Sequence, residues 1–433
     1  MHTQKVYDFA AIGAGPFNIS LAAMTQEIKS LDGIFLDQRE GFNWHPGMLL
    51  QDTTLQVPFM ADLVTMADPT SPFSFLNYLK EEGRIYSFYI RENFKILRHE
   101  YNKYCQWAVK KLHNLHWNTR VDDIGWNDHQ QHYTLQTNNG ILHAKRLVLG
   151  TGTVPYVPAM CKEHMQNAIH SSSYLDNKAG LQSKRSITIV GSGQSAAEIY
   201  YDLLQDIDTY GYQLHWITRS PRFFPLEYSK LTLEMTSPEY VDYFHALPME
   251  KRDLLSRNQR HLYKGINNDL IGNIFDLLYT KRLQHDITVS LRTNSALKKV
   301  TYDDGFTLDF YQEEVEKYYR HHTEGLILAT GYHYSMPAFL NNIKDRIAFD
   351  EKGRFDVGRN YNIGKDIYVQ NAELHTHGLS TPDLGMGCYR NAILIREMTG
   401  VDHYAIEKRI AFQQFMVTDD EQILQPISEL ISI

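Results

Sequence analysis

Two stretches of this chain repeat one short pattern. Residues 6–12, Val-Tyr-Asp-Phe-Ala-Ala-Ile, run directly into Gly13-Ala14-Gly15-Pro16-Phe17-Asn18. Residues 186–190, Ser-Ile-Thr-Ile-Val, run into Gly191-Ser192-Gly193-Gln194-Ser195-Ala196. Each is an apolar run that ends at a Gly-x-Gly turn and is followed by helix-compatible residues. Such a strand, turn and helix N-terminus form a site for a pyrophosphate. Backbone N–H groups and the helix dipole point at the anion, and the glycines let the main chain come close. The duplication predicts an α/β chain built on two Rossmann-like dinucleotide-binding domains.

The two copies are not equivalent. In the first, Asn18 stands where a third glycine normally allows close helix–strand packing, and taken alone this turn also fits an ordinary strand–turn–helix. Asp37 ends the next apolar run, 24 positions after Gly13, where a dinucleotide fold places the carboxylate for the ribose hydroxyls. A surface acid at a strand end is the alternative. In the second copy Ala196 takes the third-glycine place, an accepted variant. Its following strand ends in Arg219-Ser220-Pro221-Arg222, and an arginine there suits the 2′-phosphate of NADP. Two further apolar runs end in small-residue turns, Thr151-Gly152 and Thr330-Gly331.

Composition removes several alternatives. The 433 residues suffice for two or three domains, and a net charge of -8 gives no reason to expect nucleic acid or an anionic membrane as partner. No apolar run nears the roughly 18 residues a membrane helix needs. Residues 1–5 lead straight into a strand, leaving no room for a signal peptide. The three cysteines, Cys105, Cys161 and Cys388, form no CxxC motif, which argues against a dithiol redox centre or zinc ribbon and fits a reducing cytoplasm. No helical HxxxH pair suggests a metal site. One flavin (FAD) and one pyridine nucleotide in a single chain imply hydride transfer from NADPH to the flavin. With no dithiol or cysteine cluster to accept the electrons, dioxygen is the remaining common acceptor, and that makes a monooxygenase.

Between the signatures, residues 42–48, with Trp44 and His45, and residues 55–63 are rich in aromatics and turn formers and have no regular periodicity. They read as a functional loop, with a plain buried loop as the alternative. Helices are expected over 73–82 and 98–112, a β-meander over 115–149, and a largely helical insertion over 223–275. A further helix is expected from roughly 383 to 399, and the tail beyond Tyr404 carries no functional signal.

Taken together and in order, the two glycine turns, Trp44-His45-Pro46-Gly47-Met48, the segment 68–79 from Asp68-Pro69-Thr70, Ala329-Thr330-Gly331-Tyr332 and His377-Gly378-Leu379 resemble the flavin-dependent N-hydroxylating monooxygenases of siderophore biosynthesis. These act on ornithine, lysine or aliphatic diamines. The resemblance implies a discontinuous FAD domain (1–165 and 325–433), an NADPH domain (166–224 and 276–324), a small helical substrate subdomain (225–275), and a homo-oligomer, tetrameric as in the family. It implies ordered chemistry: NADPH reduces FAD, oxygen forms a flavin hydroperoxide, and the terminal amine of the substrate attacks it. The amine must be neutral to react, so a partly desolvated pocket is needed. Gln56 matches a glutamine of the flavin pocket, Asn267 an asparagine that contacts the nicotinamide and the reacting amine, and Thr330, Gly331 and Leu384 belong with the cofactor-side motifs.

Substrate choice rests on departures from the amino-acid members. Where those carry a lysine for the α-carboxylate, this chain has Ala61; where ornithine members carry an asparagine and a serine, it has Leu233 and Gly385. A carboxylate there would lose charge-assisted hydrogen bonds of roughly 1.5–3 kcal/mol each. The expected substrate is therefore a diamine such as putrescine or cadaverine, unless another base such as Lys80 or Lys230 takes over. Glu373, Asp383 and Glu227 are candidates for the distal ammonium. Lysine or ornithine N-hydroxylation, an NADPH–flavin reductase serving a partner protein, and a cofactor-binding protein without turnover remain as alternatives.

Overall fold

The computed structural model describes residues 5–418 and 420–422. Two parallel sheets carry the two signatures. The first runs Asn362–Gly364, Ile367–Val369, Leu147–Leu149, Phe9–Ile12, Gly33–Leu36, Leu115–His116, all parallel except the first pair. Its strands are apolar on both faces, as expected when helices and a second layer cover both sides. Helix Pro16–Thr25 packs on one face with helices Arg98–Val109 and Gly387–Thr399. The meander Val121–Asn127, His132–Thr137 and Gly140–Ala144 contributes Ile124, Tyr133 and Leu135 to the core of the other face.

The second sheet runs Ile169–His170, Gly325–Leu328, Ser186–Val190, Gln213–Ile217, Val289–Arg292, parallel throughout. It repeats the plan of the first, with helix Gln194–Tyr210 on one face and a three-stranded meander, Ser295–Tyr302, Phe306–Gln312 and Lys317–Thr323, on the other.

This topology corrects the expected boundaries. Strand Gly325–Leu328 pairs with Ser186–Val190 and belongs to the second sheet, so the chain returns to the first sheet only after Ala329. Helix Asn268–Gln284 crosses the expected boundary at 275 and packs on Gln194–Tyr210 through Ile274, so its first turns belong with the second sheet. In both cases an apolar face is buried against the second sheet, and burial rather than sequence order decides membership. The inserted helices that remain are Lys230–Leu233, Pro238–Ala246, Met249–Asn258 and Arg260–Lys264. They dock on the C-terminal part of the chain: Tyr240 and Phe244 cluster with Leu379, and Asp253 pairs with Arg354 at 2.7 Å.

Among the described residues no helix is long and apolar enough to cross a membrane. Cys105, Cys161 and Cys388 are free and buried.

Candidate active site

Both glycine turns are built the same way. Gly13 has φ +92°, and a Cβ there would lie 2.4 Å from the carbonyl oxygen of Gly150, at the end of the strand leading to Thr151-Gly152. Gly191 has φ +146°, and a Cβ there would lie 2.1 Å from the carbonyl oxygen of Ala329, just before Thr330-Gly331. Each Thr-Gly turn thus lies against the first glycine of a signature, which is why the sequence carries two of each. Gly15 and Gly193 are the N-caps of the following helices and supply no side-chain cap. Pro16 occupies the first helical position, where its missing N–H costs nothing. The uncapped N–H groups of both helices are left for an anion, which fits a pyrophosphate at each turn.

Asn18 replaces the third glycine by a different device. Its amide donates to the Gly13 carbonyl at 2.6 Å and its oxygen accepts from Gln370 at 2.6 Å. The small residue needed for close packing has moved across the interface: a Cβ on Gly150 would fall 2.3 Å from the Asn18 amide nitrogen.

Between the two sheets lies a cavity of 2410 Å³. Pockets for one drug-sized ligand run to about 1,000 Å³, so this one has room for two nucleotides and a small third molecule. Gly13, Gly15, Pro16, Asn18 and Asp37 line one end. Asp37 Oδ2 accepts from the Ala14 N–H at 2.7 Å, and Arg39 closes on both carboxylate oxygens at 2.7 and 2.9 Å. A ribose hydroxyl reaching Asp37 would take the place of the half-exposed Arg39 guanidinium. Burial opposes the Asp37 charge, but Arg39 and the Ala14 N–H outweigh it and hold the carboxyl below its usual range.

Trp44 and His45 also line the cavity. Their loop is pinned from both sides. The Trp44 N–H donates to Asn102 at 2.8 Å, and a Cβ on Gly47 would lie 2.0 Å from the Ser172 carbonyl. Met48 and Leu50, just beyond, are buried in the core of the second sheet. The irregular stretch is therefore an inter-domain strap. His45, between the rings of Trp44 and Tyr332, is held neutral, because burial and the charges of Arg98 and Arg39 lower its pKa to about 4.

Four of the six predicted substrate residues line the cavity, and Asn267 and Glu373 do not. Gln56, Ala61, Leu233, Asp383, Leu384 and Gly385 all line it. A Cβ on Gly385 would lie 3.0 Å from Asp383 Oδ1 and 3.8 Å from the Ala61 methyl, so these three share one corner. Asp383 accepts from the Gly385 N–H at 2.6 Å. Burial raises its pKa against the opposing pull of the Gly385 and Met386 N–H groups and Arg390. Of the second turn Ser195 lines the cavity, and Gly191, Gly193 and Gln194 are outside the lining. Asn267 caps helix Asn268–Gln284, is outside the lining, and donates its N–H to Gln194 at 2.7 Å. Thr330 and Gly331 adjoin the lining residue Tyr332, and Arg219 is exposed at the end of its strand.

One candidate is corrected. Glu373 is fully buried, pairs with Arg390 at 2.9 Å and lies outside the cavity lining. A carboxylate removed from water needs an internal cation, and Arg390 supplies it, so no substrate ammonium can. Glu227 lines the cavity, with its carboxylate accepting from the Ser229 N–H. Lys80 and Lys230 are outside the lining; the lysine that does line it is Lys95, whose ammonium sits 4.5 Å above the Tyr228 ring. The Tyr228 hydroxyl is buried without a hydrogen-bond partner. The sequence reading missed both residues, since nothing local distinguishes one lysine in a short strand or one tyrosine in a polar loop.

Two nucleotide cradles flanking one cavity, with space for a small third molecule, define an oxidoreductase that uses a flavin and a pyridine nucleotide together. The chain belongs to the L-lysine 6-monooxygenase/L-ornithine 5-monooxygenase family, whose model matches residues 5–334. It is 52% identical to a putrescine N-hydroxylase of Shewanella oneidensis, over 95% of this chain and 84% of that protein. Among solved structures it resembles DfoA of Erwinia amylovora, a cadaverine monooxygenase of the desferrioxamine pathway bound to FAD, with a TM-score of 0.95 at 55% identity over 96% of this chain and 99% of that one. The ornithine N-hydroxylase KtzI of Kutzneria, solved with reduced FAD, NADP+ and L-ornithine, is more distant: TM-score 0.83 at 27% identity, over 91% and 99% of the two chains.

Proposed function

We propose that this protein N-hydroxylates one terminal amine of an aliphatic diamine, putrescine or cadaverine, for a hydroxamate siderophore, using NADPH and dioxygen. The observation that carries the reading is the corner formed by Ala61, Gly385 and Asp383. It offers a carboxylate for a distal ammonium at the place where amino-acid members of the family hold a carboxylate with a lysine.

FAD belongs with Gly13, Gly15, Asn18 and Asp37, and NADPH with the turn at Gly191, Gly193 and Ser195 and with Arg219. When bound and reduced, the flavin activates dioxygen, one atom of which enters an N–H bond of the amine while the other leaves as water. The protein orients and excludes. Asp383 holds the charged distal nitrogen. Ala61 and Leu233 offer no polar partner to a substrate carboxylate, and the reacting amine at the other end of the diamine, which in water titrates near 10.4, needs desolvation to lose its proton. Gln56 and Asn267 meet on Gln194 beside the second nucleotide turn.

Lys95 favours a second reading, in which it grips the α-carboxylate of lysine or ornithine. That substrate would place its carboxylate in the neighbourhood of Asp383, a like-charge contact. The two readings separate in a panel of diaminopropane, putrescine, cadaverine, ornithine and lysine scored for hydroxylamine product. The diamines are expected to lead, and a lead for either amino acid overturns the assignment. NADPH consumption without N–O product would instead identify a flavin reductase.

Buried unpaired cysteines and a need for NADPH support a cytoplasmic setting. An exposed apolar stripe along one helix, Phe275, Tyr279 and Leu283, supports a homo-oligomer, to be checked by light scattering after size exclusion.

A further inference from the structure

A polar chain crosses from the flavin side to the NADPH side along the cavity, with Arg98 and Gln56 among the lining residues. Arg98 opens helix Arg98–Val109 and sets both terminal guanidinium nitrogens on Glu198, at 2.8 and 2.7 Å. The two side chains are only 15% and 3% exposed. One turn earlier on the same helix as Glu198, Gln194 donates its amide nitrogen to Glu198 Oε1 at 2.8 Å. The Gln194 oxygen accepts twice, from the Asn267 N–H at 2.7 Å and from Gln56 Nε2 at 3.2 Å.

Both ends of this chain have fixed polarity. A carboxylate held by an arginine only accepts, and a backbone N–H only donates. Gln194 therefore has a single amide orientation, with nitrogen on Glu198 and oxygen on Asn267. Gln56 can meet that oxygen only with its own NH2, which leaves the Gln56 carbonyl oxygen for the cavity. Without the Glu198 carboxylate the Gln194 NH2 loses its acceptor and only the Asn267 N–H still opposes a flip, which would set NH2 against N–H there and reverse Gln56. A buried ion pair is a weak stabiliser compared with an apolar pair of the same shape. Amide orientation is what an apolar pair cannot supply.

We propose that Arg98 and Glu198 are positioning residues that act through Gln194, presenting the Gln56 carbonyl oxygen to the cavity and holding the Asn267 backbone across the domain boundary. The role rests on the two-cofactor reading above and concerns how the NADPH turn is registered against the flavin side.

The test uses the FAD-loaded enzyme and the double variant Arg98→Met/Glu198→Leu. Thermal stability is expected within about 5 °C of the parent, while the Kd for NADP+ weakens at least tenfold and hydroxylamine formed per NADPH falls at least threefold. Recovery of stability, NADP+ affinity and coupling together would make the pair merely structural and overturn the proposal. Should the double variant misfold, Gln194→Leu leaves the ion pair intact and is expected to give the same losses; unchanged NADP+ affinity and coupling there also overturn it. If the parent enzyme makes no hydroxylamine from any amine, the function assigned above fails, yet the NADP+ affinities still decide the role of Arg98 and Glu198.

Discussion

Asp383→Asn is the sharpest probe of the substrate corner. The amide keeps the size of the side chain, and its oxygen can still accept the Gly385 N–H that Asp383 now takes at 2.6 Å. Local structure should survive while the negative charge is lost. A charge-assisted hydrogen bond to a partly buried group contributes about 1.5–3 kcal/mol. At 1.4 kcal/mol per tenfold, kcat/KM for putrescine should fall about 10- to 150-fold. The loss should sit mainly in KM, because the distal nitrogen is bound equally before and during reaction at the other end. Butylamine, which lacks the distal ammonium, supplies the control: its kcat/KM should change by less than threefold. The pH dependence has a definite sign. Burial holds the Asp383 carboxyl above its usual range, and only the ionised form holds an ammonium. Putrescine kcat/KM in the parent should therefore drop as the pH falls through this raised pKa, and Asp383→Asn should lack that acidic limb. The assay is steady-state hydroxylamine formation at several pH values. A putrescine kcat/KM within twofold of the parent, or an equal loss for butylamine, would refute the assignment of Asp383.

Ala61→Lys would place an ammonium in the same corner; putrescine kcat/KM should fall at least tenfold and turnover of ornithine or lysine should rise, as read from the same panel. Gly150→Ala puts a methyl group 2.3 Å from the Asn18 amide and should cost about 1–3 kcal/mol of stability in thermal melts, with FAD lost more readily. Adding Asn18→Gly should restore much of the melting temperature, and no recovery would show that the two positions are not exchanging one small residue. Arg219→Gln should raise KM for NADPH about tenfold or more and leave KM for NADH unchanged, and equal effects on both would remove the 2′-phosphate role.

Local sequence carried the architecture. A β-branched or apolar run, a Gly-x-Gly turn and a helix start within about fifteen residues are enough to predict a nucleotide cradle, and both cradles are where the pattern predicts them. The small turns at Thr151-Gly152 and Thr330-Gly331 were visible too. Their role as the walls against which Gly13 and Gly191 pack needed the strand pairing. Asn18 reads as a defect along the chain because its compensating glycine, Gly150, is remote in sequence.

What the sequence by itself determined is therefore the two Rossmann-like halves and the pair of cofactors, while Ala61, Leu233 and Gly385 gave, through the family resemblance, the expectation of a substrate without a carboxylate. Each of these follows from short-range order or from a single residue in a recognisable segment. Only the tertiary structure removed one of the three acidic candidates, Glu373, and left Asp383 and Glu227 at the cavity. It buried Glu373 on Arg390 and set Asp383 beside Ala61 in the cavity. It also moved strand Gly325–Leu328 into the second sheet and brought Arg98 to Glu198. The partner of a buried charge and the owner of a buried strand are fixed by long-range packing and desolvation, which neither periodicity nor spacing encodes.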